Sequence, residues 1–247
     1  MPITITETHN DAIPKGKVIK ENMNVLIKGV PDGISNRNGM IFLLAGSGGS
    51  GKSNFLFNLL TSKELYRNKF DKIHYFCPEN SFLSVTNHPL KKHPRVYHEL
   101  TIDALEGIID EIEANKIQAD SDPDEEMEHS LIIIDDFAGV LKAKQMQHFL
   151  NKTLTRARHL QCGFIFTVQS YLYLHLHIRK QLTWVTIFKP KSKVEWEKIA
   201  AELISLTKDD SLKLSQYVFD VPYSHLDVDL VNSKYYHNCN PMQLNET

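Results

Sequence analysis

Residues 46 to 53 read Gly-Ser-Gly-Gly-Ser-Gly-Lys-Ser, which satisfies in full the spacing G-x-x-x-x-G-K-[ST]. Glycines at these intervals let successive backbone N–H groups turn inward and converge on a phosphate. A helix opening directly behind them adds unpaired amides and its positive dipole end. Lys52 is then placed to reach the β- and γ-phosphates, and the Ser53 hydroxyl to ligate Mg2+. The pattern predicts a nucleoside triphosphate, ATP with Mg2+, held by Gly46, Ser47, Gly48, Gly49, Ser50, Gly51, Lys52, Ser53 and Asn54. A flexible glycine–serine linker would share the composition, but a linker does not sit between two apolar segments. Here Met40-Ile-Phe-Leu-Leu-Ala precedes the loop as a strand, and Asn54-Phe-Leu-Phe-Asn-Leu-Leu follows it as a buried helix.

A second group of residues completes this chemistry. Leu131-Ile-Ile-Ile-Asp135-Asp136 is an apolar strand that delivers carboxylates to the ligand edge of a sheet. Asp135 there can hold the hydration shell of Mg2+, and Asp136 can orient or deprotonate a water attacking the γ-phosphate. Gln169 closes the next apolar strand, Gly163-Phe-Ile-Phe-Thr-Val. In sheets of this kind ligands bind at strand carboxyl ends, so Gln169 can touch both the γ-phosphate and the water. Arg158 suits either a contact to a neighbouring subunit's γ-phosphate or an ordinary helix-end cation, and Arg179 is a second candidate for the same contact. His175 and His177 form H-x-H without further ligands, which is not a zinc site.

The elements that must position these groups alternate. Lys72-Ile-His-Tyr-Phe-Cys is a strand ended by Pro78, followed by a short Arg95-Val-Tyr-His and a helix from the cap Thr101 to about Ile117. The spacing of Met146, Phe149, Leu150, Thr153, Leu154 and Ala157 predicts one long amphipathic helix over 140–159. Trp184-Val-Thr-Ile-Phe is a further strand, helices follow at about 193–203 and 209–217, and Leu226–Val231 is strand-like. Continuous apolar strands separated by helices imply a mostly parallel sheet covered on both faces, an α/β fold. The expected organisation is an N-terminal arm over 1–35 with one strand at 24–28, a single nucleotide-binding domain over 36–236 and a tail over 237–247.

Composition narrows the classes. With 42% apolar and 23% charged residues the chain is ordinary for a globular protein, and no apolar run approaches a membrane span. The N-terminus carries no basic region followed by an apolar stretch, so no secretory signal is expected. Three cysteines without C-x-x-C spacing argue for a reducing, intracellular setting and against a disulfide framework or a zinc knuckle. The net charge of −2 hides an acidic block at 120–128 with six acids, read as a solvated loop; the remainder carries +4. Basic residues gather at 142–144, 152–158 and 189–193, with His148, Lys152, Arg156 and His159 on one helical stripe.

The order of these features resembles the FtsK–HerA superfamily of P-loop ATPases, and within it the poxvirus-like DNA-packaging ATPases of large double-stranded DNA viruses and virophages. The resemblance covers about residues 38 to 235 and rests on Gly46–Ser53, Asp135-Asp136, Arg158-His159, Gln169 and Ile178-Arg179 in this order. Bacterial relatives usually carry glutamate where Asp136 stands; the viral branch tolerates aspartate. The resemblance implies a RecA-like core, a ring of identical subunits, and movement of double-stranded DNA, without regard to sequence, into a preformed capsid. Capsid portal or vertex proteins are then partners, and the virus factory or virion is the location. Two other classes share the loop. A P-loop small-molecule or nucleotide kinase would need a lid with clustered arginines, and none is visible. A nucleotide-gated assembly protein without fast turnover would not need the full set of acids and glutamine.

Overall fold

The computed structural model describes residues 26–122 and 126–244. Most of the expected N-terminal arm, the centre of the acidic block and the last three residues lie outside them, as do residues 24 and 25 of the strand expected at 24–28. Within that strand, only Leu26 forms a bridge, to Arg37. Residues 26–35 fold back onto the domain: Ile27, Val30 and Ile34 are buried against Leu56, Leu59 and Tyr66.

The first strand, β1 (Ile41–Ala45), runs into the glycine loop and then α1 (Lys52–Thr61). Helix α1 was expected to continue to about Leu65. It stops at Ser62 because Tyr66 turns inward, its amide bonding the Leu59 carbonyl (2.8 Å) and its hydroxyl the Ser35 carbonyl (2.5 Å). Next come β2 (Lys72–Phe76), the short α2 (Glu79–Leu83), β3 (Val96–Tyr97) and α3 (Ile102–Ser121). The hydroxyl of Thr101 accepts from the Ala104 amide (3.1 Å) and so caps α3, a contact worth about 1 kcal/mol. The apolar run at 131–134 becomes β4 (Ser130–Asp135).

The helix expected over 140–159 is two helices, α4 (Ala138–Leu141) and α5 (Lys144–Leu154). The amides of Lys142 and Ala143 bond only three residues back, to Gly139 and Val140, and Ala143 is extended (φ −65°, ψ 130°). Leu141 and Met146 nevertheless reach the same core, so the apolar period survives a break that periodicity cannot register. Past Leu154 the chain turns through bonds such as Arg156 N–H to Thr153 O (3.0 Å) and enters β5 (Cys162–Val168). A single turn (Tyr171–Tyr173) and α6 (Leu176–Arg179) lead to β6 (Trp184–Phe188). Then come α7 (Lys193–Leu203), α8 (Lys208–Val218), β7 (His225–Asp229), β8 (Lys234–His237) and β9 (Asn240–Met242). Strand β9 and the end of β8 fall where a tail was expected.

The nine strands among the described residues form one sheet in the order β3-β2-β4-β5-β1-β6-β7-β8-β9. Strands from β3 to β6 pair in parallel, and β7 to β9 extend the sheet antiparallel. Side chains of β1 alternate: Ile41, Leu43 and Ala45 face α3, α5, α7 and α8, whereas Phe42 and Leu44 face α1. The parallel half is therefore buried on both sides, as its unbroken apolar sequences require. No helix among the described residues is long and apolar enough to cross a membrane.

Candidate active site

Parallel strands bring Ala45, Asp135 and Val168 to one edge of the sheet, side by side in the order β4-β5-β1. The loop after β1 is anchored there by the Gly46 amide on the Val168 carbonyl (3.1 Å). Gly46 lies so close to the Phe188 Cβ that an added Cβ would sit 2.6 Å from it, and Gly51 adopts φ 104°, which side-chain-bearing residues rarely reach. Gly51 also precedes α1 without a side-chain cap, so the first-turn amides of α1 remain available to an anion. Above Gly48 and Gly49 the space is open, and the Ser50 hydroxyl is buried with no hydrogen-bond partner. An open cradle with an orphaned hydroxyl fits a polyphosphate.

The ammonium of Lys52 donates to the carbonyls of Gly46 (2.6 Å) and Ser47 (3.0 Å). Burial lowers its pKa, while the charges of Asp135 and Asp136 pull the other way. Asp135 is buried, and its two oxygens receive the hydroxyls of Tyr75 (2.6 Å) and Thr167. Burial, and then the Asp135 charge, holds the Tyr75 phenol far above its usual range, so it stays a donor. Carboxylate oxygens have lone pairs to spare beyond these two bonds, and with the Ser53 hydroxyl on the first turn of α1 the donor set fits Mg2+.

Asp136 takes a left-handed backbone conformation (φ 61°), uncommon for a residue other than glycine and concentrated at functional sites. Its amide bonds the Thr167 hydroxyl (3.2 Å), and its exposed carboxylate accepts from Gln169 Nε2 (3.3 Å) and Ser81 Oγ (3.3 Å). Lys52, Asp135, Asp136 and Gln169 thus converge from three adjacent strands. Beside them a cavity of about 610 Å3 is lined by the loop, by Lys189, Pro190 and Lys191, and by the segment from Phe219 to Ser224. The basic cluster at 189–193 therefore contributes two lysines, Lys189 and Lys191, to the nucleotide side.

The arginines lie elsewhere. Arg158 is exposed just ahead of β5, at the opposite edge of the sheet, lining a cavity of about 360 Å3 with Arg37, Lys180 and Thr183. Arg179 is held within its own chain: its guanidinium grips Glu202 through two bonds (3.0 and 2.8 Å) and donates to the Leu174 carbonyl (2.7 Å). Arg156, on the basic stripe, pairs with Glu113 (2.7 Å).

Comparison with known proteins decides the family. A family model described as the Poxvirus A32 protein matches residues 35–216. The chain belongs to this family. No curated protein sequence matches it. The genome packaging NTPase B204 from Sulfolobus turreted icosahedral virus 2, in complex with AMPPCP, is 19% identical with a TM-score of 0.56, over 84% of this chain and 100% of that one. Thermomonospora curvata EccC (ATPases 2 and 3), in complex with a signal sequence peptide, is 16% identical with a TM-score of 0.57, over 90% of this chain and 41% of that one. The pCW3 conjugation coupling protein TcpA is 16% identical with a TM-score of 0.53, over 78% and 59%. At these identities the likeness is one of fold, the RecA-like P-loop fold expected from the sequence.

This member of the Poxvirus A32 protein family is accordingly a P-loop ATPase. Three of its site residues escaped sequence reasoning. Tyr75 and Thr167 looked like ordinary strand residues. Only the register, with Thr167 opposite Asp135, reveals that Thr167 shares the acid's face. Ser81 belongs to a one-turn helix whose sequence carries no apolar period.

Proposed function

We propose that this chain is an ATP-hydrolysing motor that drives double-stranded DNA into a preformed viral capsid, acting as a ring of identical subunits. The observation that carries hydrolysis is the Asp136–Gln169 pair (3.3 Å) facing the Lys52 loop. A kinase needs a pocket for an acceptor hydroxyl at that place, whereas a carboxylate joined to an amide suits a water. Packaging is supported by membership of the Poxvirus A32 protein family and by the shared fold of B204, a genome packaging NTPase.

In this reading the loop amides and Lys52 hold the triphosphate of ATP. Ser53 and Asp135 would hold Mg2+, which offsets charge developing on the phosphate oxygens. Asp136 takes the proton of the attacking water, and Gln169, bonded to Asp136, fixes that water's direction. Ser170 next in the chain bonds Glu195 on α7, and Glu202 on the same helix holds Arg179. Movement of Gln169 on loss of the γ-phosphate is thereby linked to α7. Capsid vertex or portal proteins are the assembly partners, and the virus factory the place of work.

Two outcomes test the motor. ATPase rate should rise with unrelated duplexes alike and lose that stimulation with salt, each lost phosphate contact lowering the log–log slope by about 0.9. Strong preference for one sequence, or no stimulation by any duplex at low salt, would count against it. Arg158 acts in trans: it faces away from its own loop, and no ion pair or side-chain hydrogen bond engages it among the described residues. Mixing Arg158→Ala chains with Lys52→Ala chains should restore hydrolysis at mixed interfaces, measured as phosphate release. If every mixture stays inactive while the chains still form rings, Arg158 has no such role.

A further inference from the structure

Behind the phosphate loop, on the antiparallel extension of the sheet, His225, Asp227 and Cys239 bring one donor atom each within 4.8 Å of one another. The His225 Nε2 lies 3.4 Å from Asp227 Oδ2 and 3.7 Å from Cys239 Sγ. A tetrahedral ion with bonds of about 2.0–2.1 Å to nitrogen and oxygen and about 2.3 Å to sulfur requires separations of about 3.4 Å (N to O) and about 3.6 Å (N to S). We propose that these three side chains form a zinc site, with water as the fourth ligand, that pins the β8–β9 turn to β7. The proposal is independent of the nucleotide reading above.

The surroundings favour an ion at this place. His225 Nδ1 faces the Tyr223 carbonyl (3.4 Å). A carbonyl only accepts, so the proton sits on Nδ1 and the bare Nε2 lone pair faces the other two groups, as in metal-binding histidines. Asp227 is wholly buried, fixed by the Thr186 hydroxyl (2.6 Å) on one oxygen and the Cys239 amide (2.9 Å) on the other. No Lys or Arg pairs with it among the described residues, and burial pushes its carboxyl up to about 7 and the His225 imidazole down to about 4. A divalent cation with one carboxylate, one thiolate and a neutral imidazole sums to zero charge, which removes the cost of the lone buried acid. Nitrogen and sulfur donors select zinc over Mg2+.

The turn itself points the same way. With His237 opposite Asn240, the two-residue loop is Asn238-Cys239, and both have positive φ (51° and 65°). Hairpin turns of this form favour Asn-Gly. A cysteine in the glycine position carries conformational cost, and residues held so cluster where a side chain has a task. Phe55 and Phe188 pack their rings on His225 (4.9 and 5.1 Å) and hold the imidazole in place. Spacing could not reveal this set, because Cys239 lies in a turn beyond the next strand from His225 and Asp227, with no C-x-x-C pattern to mark it.

The test is a titration of chelator-treated full-length protein with Co2+ and then Zn2+, without nucleotide. One equivalent of Co2+ should produce thiolate-to-cobalt charge-transfer absorption that Zn2+ abolishes, and Cys239→Ser should lack it while Cys77→Ser keeps it. Thr186→Val, which loses only the bond orienting Asp227, should weaken binding by about tenfold. Zinc at one equivalent should also slow alkylation of Cys239 in the wild-type chain by at least about tenfold, which needs no variant to fold. No stoichiometric charge-transfer band in the wild type, or alkylation unchanged by zinc, would overturn the site. A Cys239–His225 hydrogen bond would then be the whole of the contact.

Discussion

Asp136→Asn protein is expected to bind ATP with wild-type affinity and to hydrolyse it about 10²–10⁴ times more slowly, the usual contribution of a positioned general base. The substitution is unusually clean. Asparagine tolerates the left-handed backbone at this position nearly as well as aspartate, so φ 61° and the amide bond to Thr167 survive. The loop, Lys52 and the Tyr75- and Thr167-braced Asp135 are untouched. What disappears is the proton acceptor. Phosphate release against a nucleotide-binding titration measures the split, and a variant that kept more than about a tenth of the wild-type rate would end the assignment of Asp136 as base.

Lys52→Ala should lose both properties together. The ammonium donates to two loop carbonyls (2.6 and 3.0 Å) and lies in the field of Asp135 and Asp136. Its removal strips the phosphates of their point charge and of the cation that lies in the field of both carboxylates. A fall in rate of about 10²–10³ is the scale seen when one preorganised donor to developing charge is deleted. Affinity should also drop, by the roughly 1.5–3 kcal/mol of a charged hydrogen bond. Equilibrium binding of a fluorescent ATP analogue together with phosphate release tests both. Wild-type affinity in Lys52→Ala would mean the loop amides alone hold the nucleotide.

The residues that could be read from the sequence share a property: their role is written in short stretches. The glycine loop, the strand ending in Asp135-Asp136 and the cap at Thr101 each depend on neighbours within a few positions, and each is found in the structure at the element boundary the sequence set. What could not be read depends on distant pairings. Thr167 meets Asp135 only through the β4–β5 register, and Arg179 meets Glu202 only once α6 and α7 are folded together. The break at Ala143 was invisible because the apolar residues on both sides serve one core. Strands β8 and β9 are short and bury only Tyr236, so Lys234-Tyr-Tyr-His carries no buried period to announce them.

The strand order has a consequence for how the molecule is made. Strand β1 lies between β5 and β6, with Ile41 opposite Phe164 and Phe42 opposite Trp184. The first strand of the sheet among the described residues thus waits for a partner made about 120 residues later. At about 5–20 residues per second this leaves a wholly apolar strand waiting on the order of ten seconds for its neighbours. In the interval helix α1 and the segment from Ile27 to Ile34 cover the Phe42 and Leu44 face of β1, and α3 and α5 emerge in time to meet the other. The nucleotide loop hangs from that same strand, so its shape is completed only when β5 and β6 close around it. Nascent chains arrested before Cys162 carry the full phosphate-binding sequence without the two strands that flank it, and both edges of β1 are then open to pairing with another chain.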